Sequence, residues 1–322
     1  MTTPALNVSD LSVWFENGAA RVTLVDHVSF SIDAGTATGL VGESGCGKTM
    51  TAMAILGLLP ATGISVSAAR IEVNGKDISK LNAAQRRAVL GRDIAMVFQQ
   101  PASALDPVFT LGQQISAVYR RHTGGSKQHI RKTMLNALES VGFSQAGDIA
   151  AAYPHQLSGG MRQLAMIAMA TVCKPAVIIA DEPTTALDNS TRALILQQLK
   201  LLQTMHQTAI LFISHDLTVV RQICRDVMVM YCGRLMETTD CESLFSHARH
   251  PYTAGLLSCI PRISARRPAP ISAIPGQRPA AAGLPPGCHF APRCNRAEAQ
   301  CRDSVPALDD KNGRGAACFR PL

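Results

Sequence analysis

One short stretch, Gly42-Glu43-Ser44-Gly45-Cys46-Gly47-Lys48-Thr49, constrains this chain more than any other. It fits G-x-x-x-x-G-K-[ST], a phosphate-binding P-loop. Ala37 to Val41, just ahead, is short and mostly apolar, as a buried strand would be. Thr49 to Leu59, just after, reads as a helix that stops at Pro60. Strand, glycine loop and helix form the setting in which the pattern has physical meaning. Gly42, Gly45 and Gly47 let the backbone curl until several N–H groups converge on one anion. The helix adds the positive end of its dipole. Lys48 would reach the β- and γ-phosphates, and the Thr49 hydroxyl would ligate Mg²⁺. Many chemistries share this loop, so it fixes a nucleotide-binding α/β core before it fixes an activity.

The remaining numbers narrow the class. At 322 residues the chain has room for about two units, and 47% hydrophobic content is enough for a full core. Lys and Arg number 31 against 23 Asp and Glu, a net charge of +8. The basic residues are scattered, so no nucleic-acid arm and no nucleic-acid partner is expected. The first ten residues lack the basic and apolar regions of a signal peptide. No apolar run approaches the roughly 20 residues of a spanning helix. These features predict a cytosolic chain, or one held on the cytosolic face of a membrane by a partner. Disulfides are not expected there, so a cluster among the ten cysteines favours a metal or nothing. No internal repeat and a single P-loop predict one nucleotide-binding unit rather than a tandem pair.

Along the chain, Val8, Leu11, Val13 and Phe15 alternate or nearly so until Gly18, and Val28, Phe30 and Ile32 alternate again. An aromatic ahead of a P-loop can stack on an adenine ring; Phe15 is the candidate, with Trp14 second, against plain packing in the sheet. Ile71 and Val73 with Asn74-Gly75 make a strand and turn. Ile94 to Phe98 is a short apolar strand ending at Gln99, a side chain that could reach a metal and an attacking water. Residues 102–165 change character: Ile130, Met134, Leu138 and Val141 recur at helical spacing, so Lys127 to Val141 reads as an amphipathic helix closed by Gly142.

Leu157-Ser158-Gly159-Gly160-Met161-Arg162-Gln163 places a serine and two glycines at a second helix N-terminus, another anion-binding end. One P-loop with two phosphate-gripping ends predicts a dimer, each nucleotide lying between one chain's P-loop and the other's serine–glycine turn. The buried strand Val177 to Ala180 ends in Asp181-Glu182, at a tip where α/β folds place catalytic groups. Asp181 would hold Mg²⁺ and Glu182 would polarise the attacking water. Thr184-Thr185-Ala186-Leu187-Asp188 follows, then a leucine-rich helix from Ala193 to Met205. Another apolar strand, Thr208 to Ile213, ends in Ser214-His215-Asp216, where His215 could touch a γ-phosphate. Val227 to Glu237, turning at Cys232-Gly233, reads as an edge hairpin.

Together the P-loop, Gln99, the Leu157-to-Gln163 signature, Asp181-Glu182, Asp188 and His215 resemble the nucleotide-binding subunit of ABC transporters, in order and approximate spacing. That resemblance implies an α/β P-loop NTPase (RecA-like) core with an antiparallel β subdomain and a helical subdomain, about 102–165. It also implies two subunits closing head-to-tail on two ATP. Glu43, Ser44 and Cys46 would join the loop's glycines at the nucleotide, with Ser158, Gly159, Gly160, Gln163 and Asp188 completing it. Coupling helices of membrane partners would sit near the segment after Gln99.

The tail is similar to that of the oligopeptide/dipeptide/nickel importer subfamily. His250-Pro251-Tyr252-Thr253, Ile274-Pro275-Gly276, Pro286-Gly287-Cys288-His289-Phe290 and Pro292-Arg293-Cys294 carry that likeness, as does Phe98 through Pro107. It implies an ATPase domain over 1–259 and a Pro/Cys-rich C-terminal extension over 260–322, whose residues 262–286 read as an extended linker. It further implies two permeases, a sister ATPase subunit and an extracytoplasmic binding protein, with this chain on the cytoplasmic face of a bacterial inner membrane. Peptides are the favoured cargo, nickel or another small solute the alternative, and a soluble ABC ATPase acting on nucleic acid or ribosomes the different-class reading. Gln100 stands where the subfamily usually has an acid, and Leu164 where an Arg usually follows the signature. Cys288, Cys294, Cys301 and Cys318 lack the paired C-x₂-C spacing of zinc ribbons and bacterial ferredoxins. The resemblance puts a [4Fe–4S] cluster first, no metal second and zinc third.

Overall fold

The computed structural model describes residues 3–17, 20–185, 187–260, 273–308 and 314–322. Their contacts divide the mixed α/β chain into two compact units, each discontinuous in sequence: one of residues 3–7, 31–37 and 71–212, the other of 8–30, 38–70 and the chain from 213 onward.

In the first unit the strands Ile94–Val97 and Val177–Asp181 pair in parallel, with Ala209–Ser214 next to the latter. Val177 to Ala180 and Ala209 to Ile213 are all fully buried. Such unbroken apolar runs, rather than alternation, are what a strand covered on both faces requires. The register sets Val97 against Ala180. Gln99 and Glu182, two residues beyond each, therefore leave the sheet at the same end.

The expected helical region contains Pro101–Ala104, Leu111–His122, Lys127–Ser140, Ala146–Ala151 and Gly159–Thr171. Lys127–Ser140 turns Ile130, Met134, Ala137 and Leu138 inward and is capped by Ser126, which accepts the His129 N–H. Thr110 and Gln113 form a reciprocal capping box at the start of Leu111–His122. The helix Asn189–His206 begins earlier than its leucines indicate, because Asp188 accepts the Ser190 and Thr191 N–H groups. Asn74 (φ 48°) and Gly75 (φ 75°) close the hairpin Arg70–Val73 to Lys76–Asp77, both with the positive φ of a type I′ turn.

In the second unit the P-loop strand Ala37–Val41 pairs in parallel with Asp226–Tyr231, which pairs in antiparallel fashion with Arg234–Asp240. The hairpin does not form the sheet edge that its sequence predicts. Gly315–Ala316, from the far C-terminus, adds to Arg234–Asp240 as a further strand. Leu6–Asn17 and Ala20–Ile32 are neighbours in another sheet, with Ile64–Ser67 antiparallel on the former. The P-loop helix runs Lys48–Leu56 and stops at Gly57, short of the predicted Pro60. Gly57 takes a left-handed φ of 64° and donates its N–H to Ala54, a glycine C-cap that ends the helix before proline is reached.

Residues 262–272 of the predicted linker and Ala186 lie outside the described residues. From 273 the extension is irregular, with short turns at Ala281–Gly283 and Ala291–Arg293. It ends where the Leu322 N–H donates to the Arg249 carbonyl. Among the described residues no helix is long and apolar enough to cross a membrane.

Candidate active site

The P-loop owes its shape to positions that admit no side chain. Gly42 has φ 154°, and a Cβ there would meet the Met230 carbonyl oxygen at 2.1 Å. Gly47 has φ 116° and forms the N-cap of the P-loop helix, where Thr51 Oγ1 donates to its carbonyl at 2.9 Å. Ser44, Gly45 and Thr49 are exposed, whereas Lys48 is only 5% exposed. Its Nζ donates to the carbonyls of Gly42 (2.8 Å) and Glu43 (3.1 Å). The ammonium is thus folded over the loop on which phosphates would rest. Cys46 is buried beside it, and burial pushes its thiol above the ordinary range against the opposing pull of Lys48.

His215 is exposed and lines, with Gly42, a cavity of about 370 Å³ in the same unit. A γ-phosphate ligand would need that placement. Phe15 is 40% exposed, leaving its ring surface available, while Trp14 carries the Arg21 guanidinium over its face at 3.8 Å.

In the other unit, Gln99 Nε2 donates to Glu182 Oε2 at 3.0 Å, and Thr185 Oγ1 donates to the same oxygen at 3.0 Å. Asp181 is buried at the strand end. Glu182 follows it with φ 45°, so the chain turns sharply to present the carboxylate. Ser158 caps Gly159–Thr171 by accepting the Met161 N–H at 3.3 Å. Gly160 lies so close to the next helix that a Cβ would meet Thr191 Cγ2 at 2.6 Å. Thr191 Oγ1 in turn donates to Asp188 at 2.7 Å. The signature turn and Asp188 are therefore neighbours. Ser190 and Thr191 hold the Asp188 carboxyl well below the usual carboxylate range. Gln163 is buried, its Nε2 without a partner among the described residues. Gln100 is exposed and Leu164 is buried in the signature helix.

Three contacts to the P-loop have no local signal in the sequence. Arg293 places Nη1 and Nη2 on the two carboxylate oxygens of Glu43, at 2.8 and 3.0 Å. The Glu43 N–H donates to the Tyr252 hydroxyl at 2.9 Å. Arg278 lies against Gly45, where a Cβ would meet its Nη2 at 2.8 Å.

Cys288, Cys294, Cys301 and Cys318 line a single pocket. Burial pushes the Cys288 thiol up to about 11 and raises those of Cys294 and Cys318. A single zinc ion draws its thiolates to about 2.3 Å. Among the described residues no group of three or more His, Cys, Asp or Glu is gathered to hold one ion.

A family model described as ABC transporter matches residues 25–185, and one described as oligopeptide/dipeptide transporter, C-terminal region, matches 236–301. The dipeptide transport ATP-binding protein DppD of Escherichia coli (strain K12) is 41% identical over 318 residues, covering 98% of this chain and 97% of that protein. The chain belongs to the ABC transporter ATPase family. The oligopeptide transport ATP-binding protein AppD of Bacillus subtilis (strain 168) is also 41% identical, over 98% of this chain and 96% of its own length. Among solved structures, a dimeric bacterial ABC transporter cassette superimposes with a TM-score of 0.65 at 25% identity, covering 73% of this chain and 98% of that one. CbiO1 of Clostridium perfringens, part of the ABC transporter complex cbiONQ, gives 0.63 at 26% identity, over 76% and 91% of the two chains. This ABC ATPase therefore has the P-loop NTPase fold, and its reaction is ATP hydrolysis with Mg²⁺.

Proposed function

We propose that this ABC ATPase energises the import of di- or oligopeptides. The observation that carries this reading is the oligopeptide/dipeptide transporter C-terminal region following the ABC domain on one chain. The relatives' names as dipeptide and oligopeptide transport proteins support it. We assign residues 1–259 to the ATPase domain, with 102–165 as its helical part, and 260–322 to the extension.

In the proposed mechanism the loop from Gly42 to Thr49 wraps the phosphates and Lys48 turns from its carbonyl partners to the β- and γ-oxygens. Bound Mg²⁺, held by Thr49, Asp181 and Gln99, would neutralise charge on the transferred phosphoryl group. Glu182 orients and polarises the attacking water, positioned by Gln99 and Thr185, which donate to its carboxylate. His215 contacts the γ-phosphate, and Phe15 stacks on the adenine. Ser158, Gly159, Gly160 and Gln163 of one chain, near Asp188, close on the nucleotide held by the other. The chain works on the cytoplasmic face of the membrane, with two permeases, a binding protein and a second ATPase subunit of the sister kind.

We also propose that the four tail thiols, which line one pocket, hold a [4Fe–4S] cluster, for which thiolates are the usual donors. The cluster would act as a staple for an extension with little regular structure. Anaerobically purified protein is expected to be brown, with about four iron per chain. Colourless, iron-free and normally folded protein overturns that assignment.

The importer reading is tested by purifying the tagged chain from its native membrane in mild detergent and identifying what co-purifies. Two multi-spanning permeases and a second ATPase are expected. Ribosomal or DNA-repair proteins without a permease overturn it.

A further inference from the structure

We propose that Arg293 and Tyr252 are positioning residues for ATP binding, bracing Glu43 so that the P-loop and its lysine keep a phosphate-gripping shape. Glu43 is the second residue of the loop, and every polar part of it is engaged. Its N–H donates to the Tyr252 hydroxyl at 2.9 Å, and its carboxylate accepts both arms of the Arg293 guanidinium. Its carbonyl accepts from Lys48 Nζ at 3.1 Å and from the Cys46 N–H at 3.2 Å. Moving Glu43 therefore moves two of the loop's own groups.

The brace is stiff. The Arg293 side chain is 6% exposed, and its Nε donates to the Pro275 carbonyl at 2.9 Å while Nη1 also reaches the Tyr231 hydroxyl at 3.3 Å. Tyr252 is fully buried and packs against Tyr231 and Phe290 with ring centroids 4.7 and 5.3 Å apart. A planar two-pronged guanidinium–carboxylate pair fixes orientation as well as distance. It also neutralises a carboxylate that would otherwise stand, unpaired, on the loop that receives a polyanion. Arg278, from the same extension, lies against Gly45 of the same loop. The extension thus forms an outer support of the nucleotide grip.

The test is ATP affinity of the full chain, titrated calorimetrically, alongside melting temperature and steady-state kinetics. Tyr252→Phe conserves volume and removes one hydroxyl; it is expected to weaken ATP binding roughly five-fold. Arg293→Ala is expected to weaken it about tenfold or more, with Arg293→Lys intermediate. KM for ATP rises in step, while kcat at saturating ATP stays within about twofold. Glu43→Gln combined with Arg293→Ala is expected to lose no more than Arg293→Ala alone, because the two act as one unit. Unchanged affinity in folded Tyr252→Phe and Arg293→Lys proteins, with only their melting temperatures lowered, overturns the proposal. So does full additivity in the double variant.

Discussion

Glu182 occupies backbone that an L-residue enters at a cost of order 1 kcal/mol, with φ 45°. The turn aims a carboxylate that Gln99 and Thr185 then hold. Glu182→Gln keeps the shape and removes the charge. ATP binding is expected to survive, while phosphate release falls by about 10²- to 10⁴-fold. Unchanged turnover overturns the role of Glu182. The acidic pair was legible in sequence because an apolar run ended abruptly in two charges. The positive φ and the hydrogen bond from Thr185 were not, since a backbone angle at a strand tip is imposed by its surroundings. Asp188, proposed above to lie near the closing nucleotide, has a visible structural role. Its carboxylate caps the helix Asn189–His206, and its pKa is lowered by the bonds from Ser190 and Thr191. A lowered value means the cap contributes fully above the ordinary carboxylate pKa and is lost only as pH falls into strong acid. Asp188→Ala is expected to lower the melting temperature at pH 7, with the gap from the parent protein narrowing in acid.

Helices were easier to find than to bound. Lys127–Ser140 followed its apolar period closely because burial of that face is what forms it. The P-loop helix ended at Gly57 because local capping decided the matter before Pro60 could. The signature helix gives a paired test at the scale of element packing. A Cβ at Gly160 would press Thr191 Cγ2 at 2.6 Å, whereas one at Gly159 meets nothing within 4 Å. Gly160→Ala is expected to destabilise the fold by about 1–2 kcal/mol, despite alanine's better helix propensity. Gly159→Ala is expected to leave stability unchanged or raised. Urea unfolding of the two proteins checks both, and equal stabilities would mean that the helices part without cost.

At the scale of the whole molecule, the order and spacing of nucleotide motifs made the family readable. The links between distant parts were not readable. Arg293 stands 250 positions from Glu43, and no periodicity connects a proline-rich tail to a glycine loop. The same limit concealed the strand Gly315–Ala316 on a hairpin that looked like an edge. The proposed closure by a second chain's Ser158 makes hydrolysis depend on encounter, so the specific activity of this chain mixed with its sister subunit should rise with protein concentration in dilute solution. A flat dependence, measured by phosphate release, overturns that arrangement. The long reach of the brace also bears on birth of the protein. Ribosomes add about 5–20 residues per second, so roughly 12–50 s pass between the emergence of Glu43 and that of Arg293, 250 residues later. During that interval the nascent chain already carries its entire phosphate loop, but not the arginine fork that steadies it. The proposed brace is thus completed only long after the loop it steadies has been made.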